Sequence, residues 1–283
     1  MNINNKDIGR IINEIYYSLE KNNFSTLGRP NEIMWERPLI GVAAGDDPYY
    51  DFLKEHIGDF HWSPEEAFGL KYKECINKKN LRVISMVFPQ TLVTKQTQTK
   101  NTKCPSREWI VSRGEWEPLM KEFSGKLVNR LEDMGIRSVS IDLQQEFSIV
   151  KSENFGLASK WSHRHIAYLA GLGTFGLSDG LITERGKAVR ITSLIIEAAL
   201  TLTERPYTSH NEWCLYYKDG SCGVCIKRCP INAITTEGHD KIACEAYEEF
   251  FAENYWPDDI QRGEYILGCG LCQAGIPCQN KRP

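Results

Sequence analysis

Eight of the ten cysteines fall between Cys214 and Cys278, in two runs. The first reads Cys214-x7-Cys222-x2-Cys225-x3-Cys229-Pro230, and the second is Cys244 followed by Cys269-x2-Cys272-x5-Cys278. Four thiolates hold one 4Fe–4S cube, so eight supply two cubes with none left over. In the bacterial two-cluster arrangement the cysteine before proline ligates the other cluster. That crossing predicts one cube on Cys214, Cys222, Cys225 and Cys278, and a second on Cys229, Cys244, Cys269 and Cys272. C-x2-C pairs also serve structural zinc, and clustered cysteines in secreted domains form disulfides. Cys75 and Cys104 are left over and are expected as unligated thiols.

A second chemical stretch is Trp161-Ser-His-Arg-His-Ile-Ala-Tyr-Leu-Ala-Gly-Leu-Gly-Thr-Phe-Gly176. His163, Arg164, His165 and Tyr168 are packed together ahead of Gly171, Gly173 and Gly176. Histidine and tyrosine can deliver protons to a reduced substrate, which makes His165 and Tyr168 candidate catalytic groups. His163 and Arg164 suit contacts to a cofactor's phosphate or carboxylate. The same residues would also serve as the polar face of a helix packed on the cysteine-rich segment. The glycines match a dinucleotide fingerprint by letter, but that motif needs a strand before it and a helix after it. Here a helix is expected before and a polar turn, Ser178-Asp-Gly180, after. The three glycines either cap a helix and shape a turn, or let backbone approach a large cofactor closely.

The elements that must position these groups are legible in outline. Ile8, Ile11, Ile12, Ile15 and Leu19 mark a helix, and Leu39 to Ala43 reads as a buried strand. A helical stretch follows over Tyr50 to His56. Ser63-Pro-Glu-Glu66 opens a helix with a capping box, expected to run to about Asn77. Leu81 to Phe88 is a core strand, whereas Gln90 to Pro105 reads as a polar loop that is mobile or orders on a ligand. Leu119 to Leu131 form one helix face ending at Gly135. Arg137 to Asp142 and Ile191 to Ile196 are strands, and this alternation argues for a layered α/β domain to about Thr203. Beyond Arg205-Pro206 only short helices are expected. Lys71, Lys73, Lys78 and Lys79 read as a solvated face, while Lys95, Lys100 and Lys103 could meet an anionic group. With 283 residues, 41% hydrophobic and 25% charged, and a net charge of −3, the chain has no global pull toward nucleic acid or anionic membrane. The segment Met1 to Asp7 shows no apolar signal core, no apolar run reaches membrane-spanning length, and cluster ligation needs reduced thiols. A soluble, cytoplasmic protein is expected.

The order Ile141-Asp142, Ala170-Gly-Leu-Gly-x-x-Gly176, Leu181-Ile-Thr183, an apolar strand and two cysteine motifs resembles epoxyqueuosine reductase. The resemblance extends to the catalytic part of corrinoid-dependent reductive dehalogenases and covers roughly Leu81 to Gln279. It implies an α/β (α+β) fold: a nitroreductase-like cobalamin-binding domain at 1–205, then a ferredoxin-like module with two 4Fe–4S clusters at 206–283. It also implies cobalamin reduced by single electrons from the clusters, and places Asp142 where these reductases carry an aspartate proposed as proton donor. Leu143-Gln-Gln-Glu-Phe147 and Gly176-Leu-Ser-Asp179 depart from the family's pattern, and the chain stops five residues after Cys278. A nucleic-acid partner is therefore not expected.

Two classes of function fit these residues. One is a cobalamin-dependent reductase of a small organic substrate, fed by reduced ferredoxin or flavodoxin. The other is an electron-transfer protein that reduces or reactivates a partner corrinoid protein and has no substrate pocket of its own. A flavin enzyme on a nitroreductase-like fold is a third. A deep glycine-lined cavity beside the clusters would separate the first from the second.

Overall fold

The computed structural model describes residues 3–74, 76–260 and 268–283. Its ten helices, counted among the described residues, are α1 (Asn5–Tyr17), α2 (Tyr49–Ile57), α3 (Pro64–Tyr72), α4 (Leu92–Lys100), α5 (Arg107–Gly114), α6 (Trp116–Asp133), α7 (His163–Leu169), α8 (Leu215–Asp219), α9 (Val224–Arg228) and α10 (Lys241–Asn254). The strands are β1 (Leu39–Ala44), β2 (Leu81–Pro89), β3 (Ser138–Ser140), β4 (Ile149–Ser152), β5 (Gly156–Ser159), β6 (Gly173–Phe175), β7 (Leu181–Thr183), β8 (Val189–Glu197), β9 (Ile234–Thr235) and β10 (Gly238–His239).

Side chains alternate across the central sheet, whose order is β1-β2-β8-β3. Ile84, Met86, Phe88, Leu194 and Ile196 point into one core with the apolar stripes of α1 and α6. Their neighbours Val83, Val87 and Ile195 point into a second core with α7, Phe68 of α3 and Leu53 of α2. The period of two along each strand thus builds a three-layer arrangement from one sheet. Every pairing in that sheet is antiparallel, so the layered α/β expectation is corrected to α+β. β8 reaches past the short β3, and its first residues, Val189 to Ser193, have no strand partner on that edge.

Three further expectations change. The polar stretch after Pro89 contains a helix, α4, whose buried residues are Thr94, Lys95 and Gln98; it has no apolar period because it packs on the cysteine-rich segment. α3 stops at Tyr72, where Lys73 turns left-handed at φ 55°. The cysteine-rich segment carries a full-length helix, α10, capped by Asp240 onto the Ala243 N–H. Cys75 lies outside the described residues. Among the described residues no helix is long and apolar enough to cross a membrane.

Candidate functional site

The two half-motifs of cysteines fold into a small body docked on the sheet domain. Cys214 precedes α8 and Cys225 lies on α9, which Cys229 closes. Cys244 sits in the first turns of α10, and Cys272 in a 3₁₀ turn, Leu271–Gln273, entered through the left-handed Gly270. A side chain at Gly270 would run into the Trp109 ring, 2.0 Å away. Trp109 Nε1 donates to the Gly268 carbonyl at 2.8 Å, and Gln98 Nε2 donates to the Cys269 carbonyl at 2.8 Å. The helices α4 and α5 therefore fix the second cysteine run by its backbone.

Chain crossing sorts the thiols into two sets. Cys214, Cys222, Cys225 and Cys278 line one small recess, whose other walls include Leu177, Ile182, Leu215 and Ile276. Cys244 lies within electrostatic reach of Cys272 and Cys229, and Cys269 of Cys272 and Cys244. Burial pushes the Cys278 thiol up to about 11 and that of Cys244 up to about 12. Thiolate ligands must be deprotonated, so metal loading would have to displace these protons. Among the described residues no three His, Cys, Asp or Glu converge as the donors of a single metal ion. A cube is a larger body than one ion, and needs its four thiolates only around its corners. The apolar recess with four thiols meets that requirement. Cys225 also senses Cys272, so the two sets adjoin.

The His–Tyr stretch divides between two environments. Two residues along a helix are about 200° apart, so His163 and His165 leave α7 in nearly opposite directions. His165 Nδ1 is 2.7 Å from Ser162 Oγ, and its ring lies 4.7 Å from Phe175. Burial pushes its pKa down to about 3, which favours the neutral ring. Tyr168 stacks on Tyr207 at 5.1 Å, and burial raises its pKa. His163 faces the unpaired edge of β8 instead. Its Nδ1 is 2.9 Å from Ser193 Oγ, which accepts from Trp161 Nε1 at 2.8 Å. Its Nε2 has no hydrogen-bond partner among the described residues and lies 3.7 Å from Asp142 Oδ1. Burial lowers the His163 pKa, and the nearby Asp142 charge opposes that shift.

Asp142 sits in the 3₁₀ turn Ile141–Leu143 directly after β3. Thr192 Oγ1 donates to its Oδ2, and Ser124 Oγ approaches at 3.4 Å. Neither Arg137, which pairs with Glu197 and Glu74, nor Arg164 takes the carboxylate. Arg164 is exposed and donates to the Asp179 carbonyl at 2.6 Å. Asp142 and His163 are thus the pair the fold brings together, each with its side chain under 20% exposed.

Of the two roles open to the glycines, packing against the protein's own backbone is seen at Gly171 and Gly173. Gly171 follows α7 at φ +75°, and a Cβ there would lie 2.3 Å from the Glu204 carbonyl. Gly173 starts the hairpin β6–β7, where a Cβ would meet the Ile182 carbonyl at 2.2 Å. Their space is taken by the protein's own backbone, so the loop offers a corrin ring no cradle at these positions. Sequence reasoning missed Gln98, Trp109 and Lys187, a lysine only 2% exposed beside the cysteines. For the first two the absence of apolar periodicity hid the packing. Lys187 carried no signal of its own, since Arg185 and Arg190 flank it in the sequence.

The chain resembles the superfamily of epoxyqueuosine reductases and reductive dehalogenases. No protein-family profile matches it. It is 29% identical over 163 residues to the epoxyqueuosine reductase of Vibrio cholerae, covering 56% of this chain and 40% of that protein. It is 30% identical over 111 residues to that of Leadbetterella byssophila, covering 38% and 34%. The matches span less than half the length of these curated relatives. In structure it is similar to Bacillus subtilis epoxyqueuosine reductase captured with an aspartate catalytic loop swung out of the active site. The TM-score is 0.53 at 16% identity, over 97% of this chain and 67% of that one. A catabolic reductive dehalogenase in complex with 3-bromo-4-hydroxybenzoic acid gives a TM-score of 0.51 at 12% identity, over 98% and 37%. These likenesses establish a shared fold.

Proposed function

We propose that this chain is an iron–sulfur oxidoreductase that carries single electrons through two 4Fe–4S clusters to an acceptor bound beside Asp142 and His163. The observation that supports it is the crosswise grouping of eight cysteines into two adjoining sets, one of them walling an apolar recess. Clusters bound there supply one-electron transfer at low potential. Residues 1–205 provide the acceptor site and residues 206–283 the cluster module. Reduced ferredoxin or flavodoxin is the donor, the compartment is the cytoplasm, and the acceptor chain ends on a small organic substrate. The chain's own residues exclude water from the thiols and hold Asp142 among hydroxyl donors, with His163 Nε2 facing it.

Cobalamin is the cofactor suggested by the resemblance, but Gly171 and Gly173 are filled by backbone and do not fit the role of its cradle. That observation favours a second reading, in which the sheet domain is a docking platform and the electrons leave to a partner corrinoid protein. Anaerobic purification separates these cases. Two cubes require about eight iron and eight sulfide per chain, and Cys229→Ser should damage the Cys244 set while sparing the cluster on Cys222 and Cys225. Zinc without sulfide would end the iron–sulfur reading. Titration with cobalamin, followed by visible absorption, then decides between a resident corrin and a partner's.

A further inference from the structure

Lys187 is 2% exposed, and its side chain ranks among the largest fully buried ones in the protein. Its Nζ donates to Ser178 Oγ, and among the described residues no carboxylate forms an ion pair with it. A buried ammonium without a counter-charge is costly, so the surroundings must supply one. They are the cysteines: Lys187 lines the recess of Cys214, Cys222, Cys225 and Cys278. Its backbone N–H donates to the Cys278 carbonyl at 2.8 Å.

Two glycines make room for this side chain. A Cβ at Gly180 would lie 2.4 Å from Lys187 Cε, and one at Gly176 would lie 3.1 Å from Nζ. The last glycine of the loop, with Gly180, therefore clears a channel for a lysine. Gly186, at φ +89°, lies so close to the Gln279 carbonyl that a Cβ there would stand 2.2 Å from it. The turn before Lys187 is pressed onto the cysteine-rich segment and fixes where the ammonium lies. Burial pushes the thiols of Cys225, Cys272 and Cys278 up, and the Lys187 charge pulls all three down. Those three cysteines come from both sets.

We propose that Lys187 is a positioning residue whose buried charge, held by Ser178 in the Gly176–Gly180 channel between the two cysteine sets, raises the reduction potentials of both clusters. The inference rests on the iron–sulfur reading above. Adding an electron beside a fixed positive charge is favoured, and the effect is large where water is excluded. One ammonium shared by both sets moves the two potentials together and keeps them matched for transfer between the cubes.

The test is an anaerobic redox titration with dithionite and mediators, followed by electron paramagnetic resonance, on the full chain and on Lys187→Met. Met keeps the length of the side chain and removes its charge. The expected result is unchanged iron and sulfide, with each cluster about tenfold harder to reduce, a fall of about 59 mV for one electron. Retained clusters with unmoved potentials would overturn the proposal, as would a shift confined to one cluster. If Lys187→Met holds no cluster, Lys187→Gln is read instead. It keeps a polar donor beside Ser178 and removes the charge, and a drop in potential supports the proposal while none overturns it. Wild-type protein without iron and sulfide is the failure of the iron–sulfur reading itself, visible before any potential is measured.

Discussion

Gln98 of α4 holds Cys269 in place by clasping two backbone groups at once: its Nε2 donates to the Cys269 carbonyl at 2.8 Å while its Oε1 accepts from the Ser106 N–H at 2.7 Å. All of these groups are buried. Gln98→Ala leaves two buried backbone groups unpaired, at a cost of about 1–3 kcal/mol. The expected outcome is loss of iron from the set containing Cys269, with the Cys222–Cys225 set retained. Iron analysis with resonance spectra of both clusters checks this, and equal loss from both would assign Gln98 to global stability alone.

Gly173→Val should remove iron and any bound cofactor together. The Ile182 carbonyl stands 2.2 Å from where a Cβ would go, so the hairpin β6–β7 must open. That hairpin carries Thr174, whose Oγ1 accepts from the Trp213 N–H next to Cys214. Selective loss of cobalamin with full iron content would restore the cofactor-cradle role of the glycines.

Asp142→Asn keeps an oxygen to accept from Thr192 and removes the carboxylate that can exchange a proton. Turnover should fall by roughly 10²–10⁴-fold, the range for a lost acid–base group. His163→Gln tests the partner through the 3.7 Å contact and should lower turnover as well. An Asp142→Asn protein of full activity would take this pair out of the mechanism.

Acid should destabilise the fold well above the range of its carboxylates. His61 is fully buried, and burial pushes its pKa down to about 4; its Nε2 accepts from the Ser162 N–H at 3.1 Å. The unfolded chain takes up a proton below about 6.5, and the folded one does not until about 4. Stability is therefore complete above 6.5 and declines as pH falls toward 4, by about 1.4 kcal/mol per unit. His165, depressed for the same reason, adds to the slope. The urea midpoint should drop between pH 7 and pH 5, and less steeply in His61→Gln. A midpoint independent of pH over that interval would contradict the assignment.

What could be read from the sequence follows from how local the cause was. α1 and α6 showed themselves because their buried faces are apolar at helical spacing, and β2 and β8 because they are short runs rich in Val, Ile and Leu. The two cysteine runs were legible because ligand spacing is a chemical constraint carried in the chain itself. α4 was not, since Thr94, Lys95 and Gln98 are buried against another segment's backbone, which no periodicity reports. The division of His163 from His165 was also hidden: it depends on which side of α7 meets β8. Asp142 was found by position, but its hydroxyl partners Ser124 and Thr192 come from α6 and β8, far away in sequence.

The exchange of one cysteine between the two half-motifs has a consequence for damage. Cys229 leaves the first run to join the second set, and Cys278 returns from the second run to complete the first. On the proposed iron–sulfur reading the segments are buckled together at two points, so the loss of one cube loosens a loop that the other also uses. Air exposure should therefore bleach the second cube faster once the first is gone.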